Sequence, residues 1–170
     1  MSALSNLAEL LKKHVYDNID SYWEEAETYG TITLATISDR FYTTSDSDIE
    51  KKGKKFIASE AKGVYIWVHN GNILYVGKTD SETQNIHKRQ KQHRDSFQMK
   101  INSESSGRKY REYMKENDLQ TMNVVVKYVN TNKFNIGGMA ELLESASIET
   151  YQPKLNFEIK GHGSRNAINY

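Results

Sequence analysis

Six residues in this sequence have the types and spacings to do chemistry together. Tyr65 and Tyr75 stand ten residues apart on either side of an Asn70-Gly71 pair. Arg89 and His93 follow at i and i+4, the separation that puts two side chains on one helical face. Glu144 lies in the leucine-rich segment MAELLESASIETY, and Asn156 closes the run Gln152-Pro153-Lys154-Leu155-Asn156. An arginine brings a permanent charge and a planar donor fork suited to phosphate. A histidine can donate to, or protonate, a nearby oxygen. A carboxylate among apolar neighbours faces water unless it has a cation to bind. Each feature alone has an ordinary explanation: tyrosines on a hairpin pack, a basic helical face is solvated, and an asparagine near proline serves a turn. Glu141 lies one turn before Glu144 on a similar face, whereas Glu149, five residues on, is about 140° around the helix.

The elements that must position these residues can be read from periodicity. VYIWV and ILYVG are β-branched and aromatic runs joined through His-Asn-Gly-Asn, which predicts a hairpin with a type I′ turn. Alternation puts Tyr65 on a face with Gly63 and Trp67, and Tyr75 on a face with Ile73 and Gly77. Thr79-Asp80-Ser81 offers capping chemistry for a helix through IHKRQKQHRDSF. SESSG (103–107) reads as a loop, RKYREYMKEN as a second helix and MNVVVKYV (122–129) as a third strand. MAELLESASIETY has helical spacing and stops before Pro153, the chain's one proline. Upstream, Leu4, Leu7, Leu11, Val15, Ile19 and Trp23 recur at helical steps. TITLATI (31–37) fits either a strand or a short helix, TTSDSD (43–48) reads as a loop, and EKKGKK (50–55) as a solvated stretch. The expectation is an α+β fold: a small three-stranded antiparallel sheet flanked by helices, with an N-terminal helical extension over residues 1–61, a core over 62–157 and a tail over 158–170.

Composition narrows the chemistry. With 170 residues and no cysteine, the chain can build a real core but has no disulfide, zinc-thiolate site or thiol nucleophile, which suits a cytoplasmic protein. No secretory leader pattern and no membrane-length apolar run occur. No phosphate loop of the GxxxxGK[ST] or GxGxxG type is present, nor HExxH, nor GxSxG. Charge is uneven: 8 Lys/Arg against 11 Asp/Glu in residues 1–62, then 15 against 11 in 63–170. Residues 87–115 alone hold 9 basic and 3 acidic side chains, the footprint expected of a polyanion partner.

Taken in order, these features resemble the GIY-YIG nuclease superfamily. The name-giving tripeptides are matched by Gly63-Val64-Tyr65 and Tyr75-Val76-Gly77, each with valine where isoleucine is usual, and Lys78 follows the second. Arg89 and His93 match the arginine and its partner four residues later, with Lys88 and Arg94 flanking as alternative phosphate-binding cations. LESASIETYQPKLN matches the segment that carries the family's single metal-binding glutamate, in a register that selects Glu144. The match covers roughly residues 62–157 and is similar to small restriction and phage endonucleases and to the nuclease domain of the bacterial excision-repair incision subunit.

The resemblance implies a metal-dependent endonuclease acting on double-stranded DNA, with one Mg²⁺ or Mn²⁺ on Glu144. It implies that Tyr65 activates the attacking water and that Arg89 stabilises charge in the transition state. Tyr75, His93 and Lys78 would bind phosphate, and Asn156 would fix the edge of the site. A chain of this length suits a type II restriction enzyme acting as a homodimer, with residues 1–61 as a DNA-wrapping or dimer arm. A homing or phage endonuclease is the runner-up, and a non-catalytic DNA-binding module on the same scaffold the third reading. No membrane partner is expected.

Overall fold

Asn70 and Gly71 both take positive φ, 48° and 79°, which is the backbone of the type I′ turn their sequence implies. They close β3 (Gly63–His69) onto β4 (Asn72–Thr79) with His69 opposite Asn72. The computed structural model describes residues 3–37, 40–45, 61–79, 83–98 and 106–157. Before the hairpin come α1 (Ala3–Asp17), α2 (Ile19–Glu24), β1 (Glu27–Ile37) and β2 (Arg40–Ser45). After it come α3 (Ile86–Gln98), α4 (Ser106–Glu116), β5 (Thr121–Asn130), a 3₁₀ turn (Thr131–Phe134) and α5 (Met139–Tyr151). The class is α+β. EKKGKK, residues 50–55, and the tail from 158 lie outside the described residues.

The expected three-stranded sheet is corrected to five strands, in the order β2-β1-β5-β3-β4 with every neighbouring pair antiparallel. TITLATI is the reason. Its Ile32 and Leu34 are buried while Thr31 and Thr33, each just before one of them, are not, so alternation at a period of two prevails and the segment pairs with β5. Thr43, Thr44 and Ser45, read as loop from their polarity, pair with Leu34, Thr33 and Ile32. The N-terminal segment is therefore helical and then extended, and its strands share the sheet of the residues beyond 61.

Both faces of the hairpin end of the sheet are covered, which is why Gly63 through Trp67 are all buried. Tyr65 and Trp67 pack with Ile86 and Phe97 of α3 and Tyr110 and Met114 of α4. On the other face Val64, Ile66 and Val76 meet Met139, Leu143 and Ala146 of α5, together with Val15, Ile19 and Trp23. Trp23 further donates its indole N–H to Ser147 Oγ at 3.0 Å. α1 and α2 thus have a structural task against α5.

Two local readings need amendment. Trp67 pairs with Tyr75 but Val68 pairs with Ile73, so Leu74 is an extra residue, a bulge. Beyond it Ile73 joins the opposite core from Tyr75, and the predicted shared face of those two residues is lost. The cap of α3 is Asn85, whose Oδ1 accepts from Lys88 N at 2.8 Å. Thr79 instead ends β4, exchanging hydrogen bonds with the backbone of Gly63, while Asp80 and Ser81 lie outside the described residues.

Candidate active site

The register of the hairpin sets the site. Tyr65 lies opposite Gly77, and Trp67 opposite Tyr75, so the two phenols and the glycine share one face. A Cβ on residue 77 would stand 2.5 Å from the Tyr65 hydroxyl and 2.9 Å from the Tyr75 ring, distances that no carbon can occupy. Gly77 is glycine because the tyrosines use its side-chain space. Gly63 answers a different demand. Its φ is +146° and a Cβ there would come 2.1 Å from the Val129 carbonyl oxygen, so close backbone approach to β5 excludes any side chain.

Behind the phenols sits His93, only 2% exposed. Its Nε2 is 2.5 Å from the Tyr65 hydroxyl and its Nδ1 is 2.9 Å from that of Tyr110. The rings of Tyr65, Trp67, Tyr75 and Tyr110 wall it in at centroid distances of 5.2–5.8 Å. Burial first, and then the charge of Arg89, lower its pKa to about 3. His93 is a neutral ring among aromatics, and the expected phosphate contact is corrected: its two nitrogens are engaged inside the core.

Arg89 is the cation nearest the phenols. Burial opposes its charge, but the oxygens of Tyr65 and Tyr75 raise its pKa overall. Burial pushes the Tyr65 phenol well above its ordinary value, with Tyr75 and Tyr110 adding to the rise and Arg89 opposing it. Tyr75 is also raised, by burial first and with Arg89 again opposing. Lys78 Nζ turns to Glu141 at 3.2 Å and Glu144 at 3.7 Å.

Tyr75, Gly77, Lys78, Arg89 and Glu144 line one cavity of about 320 Å³, with Thr79 and Gln84 completing it. Strand β4, helix α3 and helix α5 therefore each deliver a charged or phenolic group to the same space. Tyr65, wholly buried, lies behind Gly77 rather than on the cavity wall. The Nε of Arg89 is buried and has no hydrogen-bond partner among the described residues, leaving a donor to be met there. A larger depression of about 520 Å³, over Lys62, Asn132 and Gly138, adjoins it at Thr79 but contains none of the six residues singled out from sequence.

Asn156 does not reach the cavity. Its side chain clamps β4, accepting from Val76 N and donating to Val76 O, both at 2.8 Å. It fixes the residue between Tyr75 and Gly77. Lys88 Nζ donates to the Thr83 carbonyl at 2.9 Å and does not line the cavity. Arg94 lies on α3, with its side chain outside the described residues. Glu149 accepts from Tyr16 at 2.6 Å, on the side of α5 that meets α1.

Tyr110 and Gln84 were not anticipated. Tyr110 and Met114 are an i, i+4 pair, both wholly buried, and that apolar step in the charged run RKYREYMKEN was the available signal. For Gln84, in the irregular segment before α3, the sequence carries no such signal.

No protein-family model, no curated protein and no solved structure matches the chain. Among the described residues no helix is long and apolar enough to cross a membrane.

Proposed function

We propose that this protein is a divalent-metal-dependent endonuclease of the GIY-YIG type, hydrolysing phosphodiester bonds of double-stranded DNA. On this reading β3, β4 and β5 with α3 and α5 form the nuclease core, and α1, α2, β1 and β2 are an elaboration of it. The observation that carries the proposal is the cavity shared by Tyr75, Lys78, Arg89 and Glu144. Those residues come from β4, α3 and α5 and are four of those the resemblance selects.

The donor set fits a hard ion that keeps its waters. Glu144 supplies one carboxylate, and among the described residues no cluster of three His, Cys, Asp or Glu side chains is present. His93 has both ring nitrogens engaged. Such a set suits Mg²⁺ or Mn²⁺ held by Glu144 with water and substrate oxygens, and not a structural zinc site. When bound, the ion would offset charge on the phosphoryl and leaving oxygens.

The chain's own residues supply the rest. Arg89 presents donors to a phosphoryl oxygen, where charge develops in the transition state. Tyr75, on the cavity wall, orients the phosphate. Tyr65, whose hydroxyl lies beside the cavity residue Gly77, would receive a proton from the attacking water. Asn156 holds the strand, and the missing side chain of Gly77 makes room for the two phenols.

A type II restriction enzyme acting as a homodimer is the role proposed, since symmetric cleavage is most simply made by a two-fold pair. Plasmid DNA incubated with the purified protein and Mg²⁺ or Mn²⁺ should give discrete bands, and Glu144→Ala should abolish them. Absence of any cutting, with a salt-sensitive gel shift retained, would favour a DNA-binding module. A single rare cut would favour a homing or phage role.

A further inference from the structure

The imidazole of His93 is held by two phenols, and the nuclease reading uses only one of them. A neutral imidazole carries one N–H and one lone pair. One phenol must therefore donate to the ring while the other accepts. The distances divide these roles. An N–H···O bond usually spans about 2.9–3.0 Å, whereas hydroxyl donors sit closer. The Tyr65 contact with Nε2 is 2.5 Å and the Tyr110 contact with Nδ1 is 2.9 Å. On these distances Tyr65 is the better suited to donate its O–H to Nε2, and Nδ1–H to donate to the Tyr110 oxygen. Tyr65 and Tyr110 are wholly buried and His93 is nearly so, so bulk water does not compete for either nitrogen.

We infer that Tyr110 is a positioning residue: by accepting Nδ1–H it fixes the tautomer of His93 whose Nε2 lone pair takes the proton of Tyr65. The catalytic meaning rests on the nuclease reading; the tautomer does not. A base oriented by a third group is a general device, and here the third group is an uncharged phenol on α4. In the proposed step, the Tyr65 oxygen takes a proton from water as its own proton passes to Nε2, and Nδ1–H remains on Tyr110. The oxygen of that water forms its bond to phosphorus, the bond to the 3′-oxygen breaks, and solvent water protonates the leaving oxygen. The extra proton on His93 then returns to Tyr65, which releases one to solvent. No phenolate needs to accumulate, which suits a phenol that burial makes hard to ionise. An anion against Arg89 offsets the second of the two influences that keep His93 neutral, so substrate itself would make the ring a better acceptor.

The test is the ¹⁵N spectrum of the His93 ring in full-length protein free of DNA and metal, with His93→Gln identifying the signals. The expected result is a protonated Nδ1 and a bare Nε2, with Tyr110→Phe shifting both nitrogens toward a tautomer mixture. An Nε2–H ring in the wild-type protein would overturn the inference, and so would shifts unmoved by Tyr110→Phe. Should that variant fail to fold, the wild-type spectrum decides alone. If the wild-type protein cuts DNA, Tyr110→Phe should lower kcat by about 10- to 100-fold with KM unchanged; an effect on KM alone would overturn the catalytic part. If it cuts no DNA, the nuclease reading falls while the spectrum still judges the tautomer.

Discussion

The hydroxyl of Tyr65 occupies the space beside Gly77, 2.5 Å from where a Cβ on that residue would stand. Neither position can change without the other. Gly77→Ala should therefore destabilise the protein by about 1–3 kcal/mol through overpacking, read from urea denaturation. Tyr65→Phe in the same chain should recover only part of this. It removes the oxygen but leaves the ring carbon at 2.7 Å.

Tyr65 and Tyr75 differ in depth, and that difference should appear in kinetics. Tyr65→Phe is expected to lower the cleavage rate by about 100-fold or more, within the usual span for a lost proton acceptor, while leaving DNA affinity near wild type. Tyr75→Phe, on the cavity wall, should weaken DNA binding as well. Rates with saturating DNA, set beside gel-shift titrations, separate the two. Equal loss of binding and cutting in Tyr65→Phe would argue against its role with water.

His93 gives a defined dependence on acid. Its folded pKa is about 3 against an ordinary value of 6.5, so between these values the unfolded chain binds the additional proton. Stability contributed by the neutral ring is full above about pH 6.5 and is lost as pH falls toward 3. The slope is roughly 1.4 kcal/mol per pH unit. Denaturation midpoints at pH 4.5 and 7 should differ strongly in wild type and distinctly less in His93→Gln. A variant as acid-sensitive as wild type would show that other groups dominate this range.

Asn156 should act on stability and on local opening of β4. Asn156→Ala strips two hydrogen bonds from Val76 and should cost about 1–3 kcal/mol. Amide exchange at Val76 should accelerate more than at Ile66, which lies one strand further in. Asn156→Asp keeps an acceptor for Val76 N but loses the donor to Val76 O. Its cost should fall close to that of alanine.

Legibility in the sequence followed how local each cause was. The Asn70-Gly71 turn was readable because positive φ at both positions is written in two adjacent residues. Helices α3, α4 and α5 followed from composition and spacing. TITLATI was ambiguous alone, and only pairing with β5 makes it a strand. The bulge at Leu74 is invisible to any reading that assumes strict alternation, and it returned Ile73 to the other face. Tyr75, Lys78, Arg89 and Glu144, which line one cavity, could be singled out, but the depth of the others could not. Arg89 and His93 share a helical face on paper; one reaches the cavity and the other is sealed between Tyr65 and Tyr110. That division depends on α4, whose contact with the hairpin no local pattern encodes.

Strand β4 is the last in the sheet, and such a strand ordinarily offers its outer backbone groups to any passing chain. Here the Leu74 carbonyl accepts from Leu155 N at 2.9 Å, and both polar groups of Val76 are taken by Asn156. The segment after α5 thus caps the middle of that border like a short surrogate strand. The middle of that border is already paired within the chain, so extending the sheet there would first require the segment around Leu155 and Asn156 to give way.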